Sequence, residues 1–337
     1  MAFLVMAVMI GGASLYLTGS KLAPDPGNEE SVIVNIPMGS GTQAIGQLLK
    51  EKGVIKSAFV FRVQSKIRGN DGLYKAGEYL LTPSMDMDTI IDSLINGDKR
   101  NVIRFTIPEG YTVDQTIGAI IAKGLGTKEG LEKEASEGKF PHGFLRDIPK
   151  NVPYPLEGYL YPQTYDVSPG SSDRSILNTM LNHFGTLFTE EMELKAMQMG
   201  YDINEIITIA SLIERETSVK EEKGKIASVV YNRLEKGMPL QIDATIQYAL
   251  EKPKEALSIK DTKIDSPYNT YRIKGLPPGP ICSPAIDSIE AALNPEKTDY
   301  LYYVLGTDGT GAHNFSKDYD RFLEYKAAYK EYIKSRQ

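Results

Sequence analysis

The run "NEIITIA" at 204–210, continuing into "SLIERETS" at 211–218, constrains the fold more than any other stretch. Wound as a helix at about 100° per residue, it sets Ile206, Ile209, Ala210, Leu212 and Ile213 on one broad arc, with Thr208, Ser211 and Arg215 opposite. The run therefore reads as buried helix. Two carboxylates close the run. Glu214 and Glu216 fall on the edges of the apolar arc, and their spacing of two turns the side chains about 200° apart, so this helix alone cannot bring them together as a close pair. The plain reading pairs Glu216 with Lys220 one turn on; the alternative is that one of the acids does chemistry.

The 337 residues suffice for two or three domains, and 41 % hydrophobic with 24 % charged is an ordinary globular balance. A net charge of −6, without any block of lysine or arginine, argues against nucleic acid as a partner. Cys282 is the single cysteine, and His142, His183 and His313 are scattered. Neither a disulfide nor a zinc site is expected, and no cofactor.

Residues 1–20, "MAFLVMAVMIGGASLYLTGS", carry no charge and as a helix would span about 30 Å, the thickness of a bilayer core. They are expected to form a transmembrane anchor, and 21–31 a polar linker poor in positive charge, which puts the body outside the cytoplasm. A weak repeat follows, "VIVNIPMGSGTQAIGQLLKEKGV" at 32–54 and "VIRFTIPEGYTVDQTIGAIIAKGL" at 102–125. Each copy reads as a strand, a Pro-x-Gly turn, a capping threonine (Thr42, Thr112) and an amphipathic helix. The first copy continues through a helix near 57–67, a strand at 77–83 and a helix near 86–96, the order of a LysM-type module. The expected organisation is therefore α+β: a membrane helix, a small LysM-like α/β unit at 32–100, a second small α/β unit at 101–154, and a mixed helical and β catalytic domain at 155–337. That last domain is read as long helices near 173–199, 203–217 and 221–236, a Pro- and Gly-rich loop at 266–285, a strand at 299–305 and a polar closing helix.

Twenty tyrosines and no tryptophan leave tyrosine faces as the candidates for stacking on sugar rings, although Tyr302 and Tyr303 read as half-buried strand residues. Gln241, Asp243, Thr245, Asn269, Thr270 and His313 are the other polar candidates, and spacing alone does not gather them.

"ASLIERETS", "ASVVYNRLEKGMPLQIDATIQYAL", "SPYNTYRIKGLPPGPI" and, ahead of them in the chain, "EGYLYPQTY", four motifs in the expected order behind two small amino-terminal units and an apolar anchor, resemble the endolytic murein transglycosylases of the MltG (YceG-like) family. The resemblance implies cleavage of the β-1,4 bond between N-acetylmuramic acid and N-acetylglucosamine in nascent peptidoglycan strands, leaving a 1,6-anhydro end. It implies Glu214 as the catalytic glutamate. It also implies a bacterial cell membrane protein, single-pass, with its catalytic domain on the extracytoplasmic side and peptidoglycan synthases as candidate partners. An ordinary glycosidase needs two carboxyl groups, whereas here one suffices: a Glu214 kept protonated by an apolar wall gives its proton to the glycosidic oxygen and then takes one from the sugar's 6-hydroxyl. Gln241, Asp243, Thr245, Asn269, Tyr271 and His313 are the expected substrate contacts, and Glu157 reads as structural. The competing readings are a non-catalytic peptidoglycan-binding adaptor on a membrane anchor, and a hydrolase using Glu214 with Asp243.

Overall fold

The computed structural model describes residues 22–28, 32–97, 102–167, 170–250, 254 and 257–336. The expected anchor at 1–20 lies outside the described residues, among which no helix is long and apolar enough to cross a membrane. The chain divides into two compact units, one containing residues 1–103 and 166–171, the other 104–165 and 172–337.

The first unit runs β1 (Val32–Ile36), α1 (Thr42–Glu51), α2 (Ala58–Ile67), β2 (Gly77–Leu81) and α3 (Met87–Asn96), the order expected for this stretch. β1 and β2 pair antiparallel, with Val34 opposite Tyr79 and Ile36 opposite Gly77. Alternation along β1 turns Val34 and Ile36 inward and leaves Ile33 exposed, the period-two pattern of a sheet with one buried face. Onto that face the helices press Ile45, Leu49, Val60, Phe61, Ile90 and Leu94, each contributing about 1.5–3 kcal/mol by full burial. Gly46 lets α1 and α2 cross closely, since a Cβ there would lie 2.9 Å from Cδ1 of Phe61. Ser57 and Asp86 cap α2 and α3 by accepting from Val60 N and Thr89 N. Thr42 is not a cap. Gly41 holds that position, and the Thr42 hydroxyl donates to Asp71 instead.

Next along the chain come β3 (Ile103–Thr106), α4 (Val113–Ile121) and α5 (Lys128–Glu137), and β4 (Thr164–Val167) returns to pair with β3. Thr112 does cap α4, in a reciprocal box with Gln115. The segment expected as a separate unit, 101–154, belongs almost wholly with the carboxyl-terminal residues. Among the bonds that tie it there are Gly110 N to Ser283 O at 3.0 Å and Ser283 N to Tyr111 O at 2.8 Å.

Helices α6 (Asp173–Leu187), α7 (Glu190–Met199), α8 (Ile203–Glu216), α9 (Lys223–Glu235), α10 (Asp243–Ala249) and α11 (Ile286–Leu293) build the helical core. The single helix expected over 173–199 is two, because Thr189 caps a fresh start at Met192 N. A hairpin of β5 (Tyr302–Leu305) and β6 (His313–Ser316) follows, pairing Tyr303 with Phe315, and α12 (Tyr319–Lys334) ends the described chain.

Candidate active site

α8 is the central helix of the second unit. Asp202 and Glu205 start it with a capping box, their side chains accepting from Glu205 N at 2.7 Å and Asp202 N at 2.9 Å. From Ile206 to Ile213 every side chain is buried, Thr208 and Ser211 included. Those two hydroxyls donate to carbonyls of the preceding turn, Thr208 to Asn204 O and Ser211 to Thr208 O, both at 2.7 Å. Ser211 also accepts from Ile281 N at 3.0 Å, which lays the Pro- and Gly-rich loop across the helix. Gly158 makes the opposite wall possible, because at φ +88° a Cβ would meet Pro280 at 2.7 Å and Ile207 at 2.8 Å.

The two acids that end α8 meet different surroundings. Glu214 is 9 % exposed and its Oε2 collects three donors: Ser288 Oγ at 2.6 Å, Ala285 N at 3.1 Å and Lys223 Nζ at 3.2 Å. Lys223, itself 6 % exposed, also holds Asp287 at 2.6 Å. This is an ionic joint locking α8 to α9 and to the start of α11, not the apolar wall expected around Glu214.

Glu216 meets a sparser set of partners. It does not pair with Lys220; its Oε2 accepts from Tyr303 Oη at 2.6 Å. Among the described residues that phenol is its hydrogen-bond partner, and Oε1 takes none. Burial pushes the Glu216 carboxyl up, with Asp243 adding in the same direction and the Tyr303 bond, His313 and Arg233 opposing. Tyr303, half-buried beside Glu216, has its phenol pushed well up by desolvation and so stays a donor.

The expected substrate residues sort by this division. Asp243, Tyr271 and His313 gather on the Glu216 side: Tyr271 Oη donates to Asp243 at 2.5 Å, and His313 sets its ring edge-on to Tyr303, centroids 5.5 Å apart. His313 is held by Glu222, which accepts from its backbone N at 2.8 Å and meets its Nδ1 at 2.9 Å. Gln241 is exposed and is the one non-glycine residue at positive φ, 52°, among the described residues. Its N–H donates to Thr270 O at 3.0 Å; strain of this kind recurs where a side chain is aimed at a ligand.

Thr245 and Asn269 are instead fully buried. Thr245 donates to Ile242 O at 2.7 Å, and Asn269 gives its amide to Thr262 O and Ile264 O while accepting from Tyr271 N. They hold the loop rather than face outward. None of the six makes a hydrogen bond to Glu214.

Lys223, Asp287, Ser288, Tyr303 and Arg233 were not legible as site residues. Lys223 stands in the charged run "KEEKGK", which resembles a solvated face. Arg233 is 9 % exposed and donates to Leu301 O at 2.6 Å and Leu240 O at 2.5 Å, tying β5 to the Gln241 turn.

Glu157 is structural, as expected: 3 % exposed, it accepts from Val113 N at 3.1 Å and Tyr248 Oη at 3.2 Å, and burial pushes its carboxyl up to about 8. No group of three or more His, Cys, Asp or Glu among the described residues could hold a metal ion. Cavities of about 780 and 540 Å3 flank α7, α9 and α11, and neither is lined by Glu214 or Glu216.

A fold centred on a buried, acid-ended helix, with polar loops converging on the second acid, is that of a known family: residues 34–328 match the YceG-like family model, and the chain belongs to that family. It is 37 % identical to the endolytic murein transglycosylase of Bacillus subtilis, over 98 % of this chain and 92 % of the relative. To the endolytic murein transglycosylase of Streptococcus pneumoniae it is 34 % identical, over 95 % of this chain but 63 % of that longer protein. The crystal structure of a YceG-like protein from Listeria monocytogenes superposes with a TM-score of 0.60 at 35 % identity, over 88 % of this chain and 99 % of the other.

Proposed function

We propose that the chain is a lytic transglycosylase of peptidoglycan, cutting the β-1,4 bond from N-acetylmuramic acid to N-acetylglucosamine within glycan strands and leaving a 1,6-anhydro end. We assign the general acid and base to Glu216 in place of Glu214. The observation that carries the assignment is the contrast between the two carboxyls. Glu214 spends its Oε2 on an ammonium, a hydroxyl and a backbone N–H, whereas the Oε2 of Glu216 meets a single phenol and its carboxyl is pushed up by burial. A general acid needs a proton at working pH, and burial moves the Glu216 carboxyl in that direction.

In this reading Glu216 Oε1–H gives its proton to the glycosidic oxygen as the C1–O bond breaks. The sugar's own 6-hydroxyl then attacks C1, and its proton passes to the carboxylate, restoring the acid. One carboxyl thus serves both steps. Gln241, Asp243, Tyr271 and His313 are the proposed glycan or stem contacts, while Thr245 and Asn269 keep their loop in place.

Residues 1–20 serve as a single-pass anchor in the bacterial cell membrane with the body on the extracytoplasmic side, the LysM-like unit at 32–100 acts as a spacer, and peptidoglycan synthases are the proposed protein partners. The test is mass spectrometry of sugar ends after incubation with purified glycan. Anhydro ends made by the wild type and absent with Glu216→Gln support the reading. New reducing ends indicate a hydrolase, and an absence of new ends indicates an adaptor.

A further inference from the structure

Resting on the assignment of Glu216 as acid and base, we infer that Tyr303 is a positioning residue that dictates which oxygen of Glu216 carries the catalytic proton. The phenol reaches Oε2 at 2.6 Å from β5, and as a donor it selects an acceptor. In a neutral carboxyl the carbonyl oxygen is the better acceptor and the hydroxyl oxygen the poorer. The Tyr303 bond therefore makes Oε2 the carbonyl and leaves the proton on Oε1, the oxygen without a partner among the described residues.

The same bond acts a second time in the cycle. When Oε1 gives up its proton, Oε2 becomes part of an anion and the neutral hydrogen bond becomes a charge-assisted one, roughly twice as strong. Tyr303 thereby favours proton donation and tempers the basicity of the carboxylate that must take the next proton. The other groups facing Glu216 cannot substitute for it. Arg233 (α9) is engaged by Leu301 O and Leu240 O, Tyr271 by Asp243 (α10), and His313 (β6) by Glu222. They contribute field, and Tyr303 contributes direction.

The pH profile of kcat/KM for anhydro-end formation separates this from a packing role, because the alkaline limb reports loss of the proton from the acid. Tyr303→Phe keeps the ring and its contact with His313 but deletes the donor. We expect the limb to move to higher pH by about 0.5–1 unit, with kcat down about 3–10-fold and KM within about twofold. Incorporation of 3-fluorotyrosine at 303 makes the phenol a stronger donor, and the limb should move the opposite way. Opposed movement supports the inference, and the fluorotyrosine protein carries the sign if Tyr303→Phe fails to fold. A stationary limb in either folded protein, with Glu216→Gln inactive, overturns it. Full activity of Glu216→Gln would instead bring down the assignment beneath it.

Discussion

Exchanging each terminal acid of α8 for its amide should have two different consequences. In Glu216→Gln the amide oxygen can still accept from Tyr303, and no ion pair is lost, so the fold should be nearly unchanged. Under the proposed assignment what disappears is the proton shuttle, which typically costs about 10²–10⁴ in rate, or about 3–5 kcal/mol of transition-state stabilisation. Glu214→Gln removes a charge from a joint whose members are 9 % and 6 % exposed. Hydrogen bonds to charged groups are worth about 1.5–3 kcal/mol, and breaking a buried ion pair outright costs about 3–5 kcal/mol. Since Asp287 still compensates Lys223 and the amide oxygen still accepts from Ser288, the lower figure is the better guide. For a unit of this size each kcal/mol lowers Tm by about 2–4 °C, so a fall of about 3–12 °C is expected. The assay is anhydro-end production at matched folded concentration, with thermal unfolding alongside. Glu214→Gln should keep its rate within about tenfold once folded. A folded, inactive Glu214→Gln beside an active Glu216→Gln would refute the division of labour and restore the sequence-based expectation.

Glu157 gives a pH signature: its carboxyl is held up to about 8 against 4.5 ordinarily, so the folded protein keeps a proton that the unfolded chain releases. Its stabilising contribution is full below about pH 4.5 and is lost as the pH rises towards 8, by up to about 5 kcal/mol; denaturant melts across that window should flatten in Glu157→Gln. Glu216 adds a slope of the same sign, which should persist in that variant. Gly46→Ala should destabilise by about 1–3 kcal/mol, because its Cβ meets the buried Phe61 ring; a Tm equal to wild type would show that α1 and α2 can part. Asn269→Ala strips the partners of Thr262 O, Ile264 O and Tyr271 N and should cost about 3 kcal/mol or more, seen first in Tm, whereas a raised KM at unchanged Tm would return it to the substrate.

Much of the fold was legible where pattern is local. The apolar arc of α8 and the strand, two helices, strand order of the first unit follow from residues within one or two turns of each other. The different surroundings of Glu214 and Glu216 were not legible, because both sit on the edge of the same arc and the distinction is made elsewhere. Ser288, 74 positions on, and Tyr303, 87 positions on, supply the contrast. Lys223 was hidden by its charged neighbours, and the break at Thr189 by continuous helical pattern on both sides. In sequence the second repeat copy looks like a unit of its own, yet its Gly110 turn is stapled to Ser283, a pairing no periodicity announces.

The long reach of those pairings bears on when the protein becomes active. α8 contains only local backbone bonds and can form early, but the partners that give Glu216 its surroundings stand near the carboxyl end, with Tyr303 87 residues beyond it and His313 91 residues beyond Glu222. Contacts so distant in sequence close late in folding. A chain still being synthesised, or cut short before residue 303, carries both acids but neither the phenol that aims the proton nor the hairpin that walls it in. Under the proposed function, a protein that severs wall polymer stays harmless until its last segment has been made.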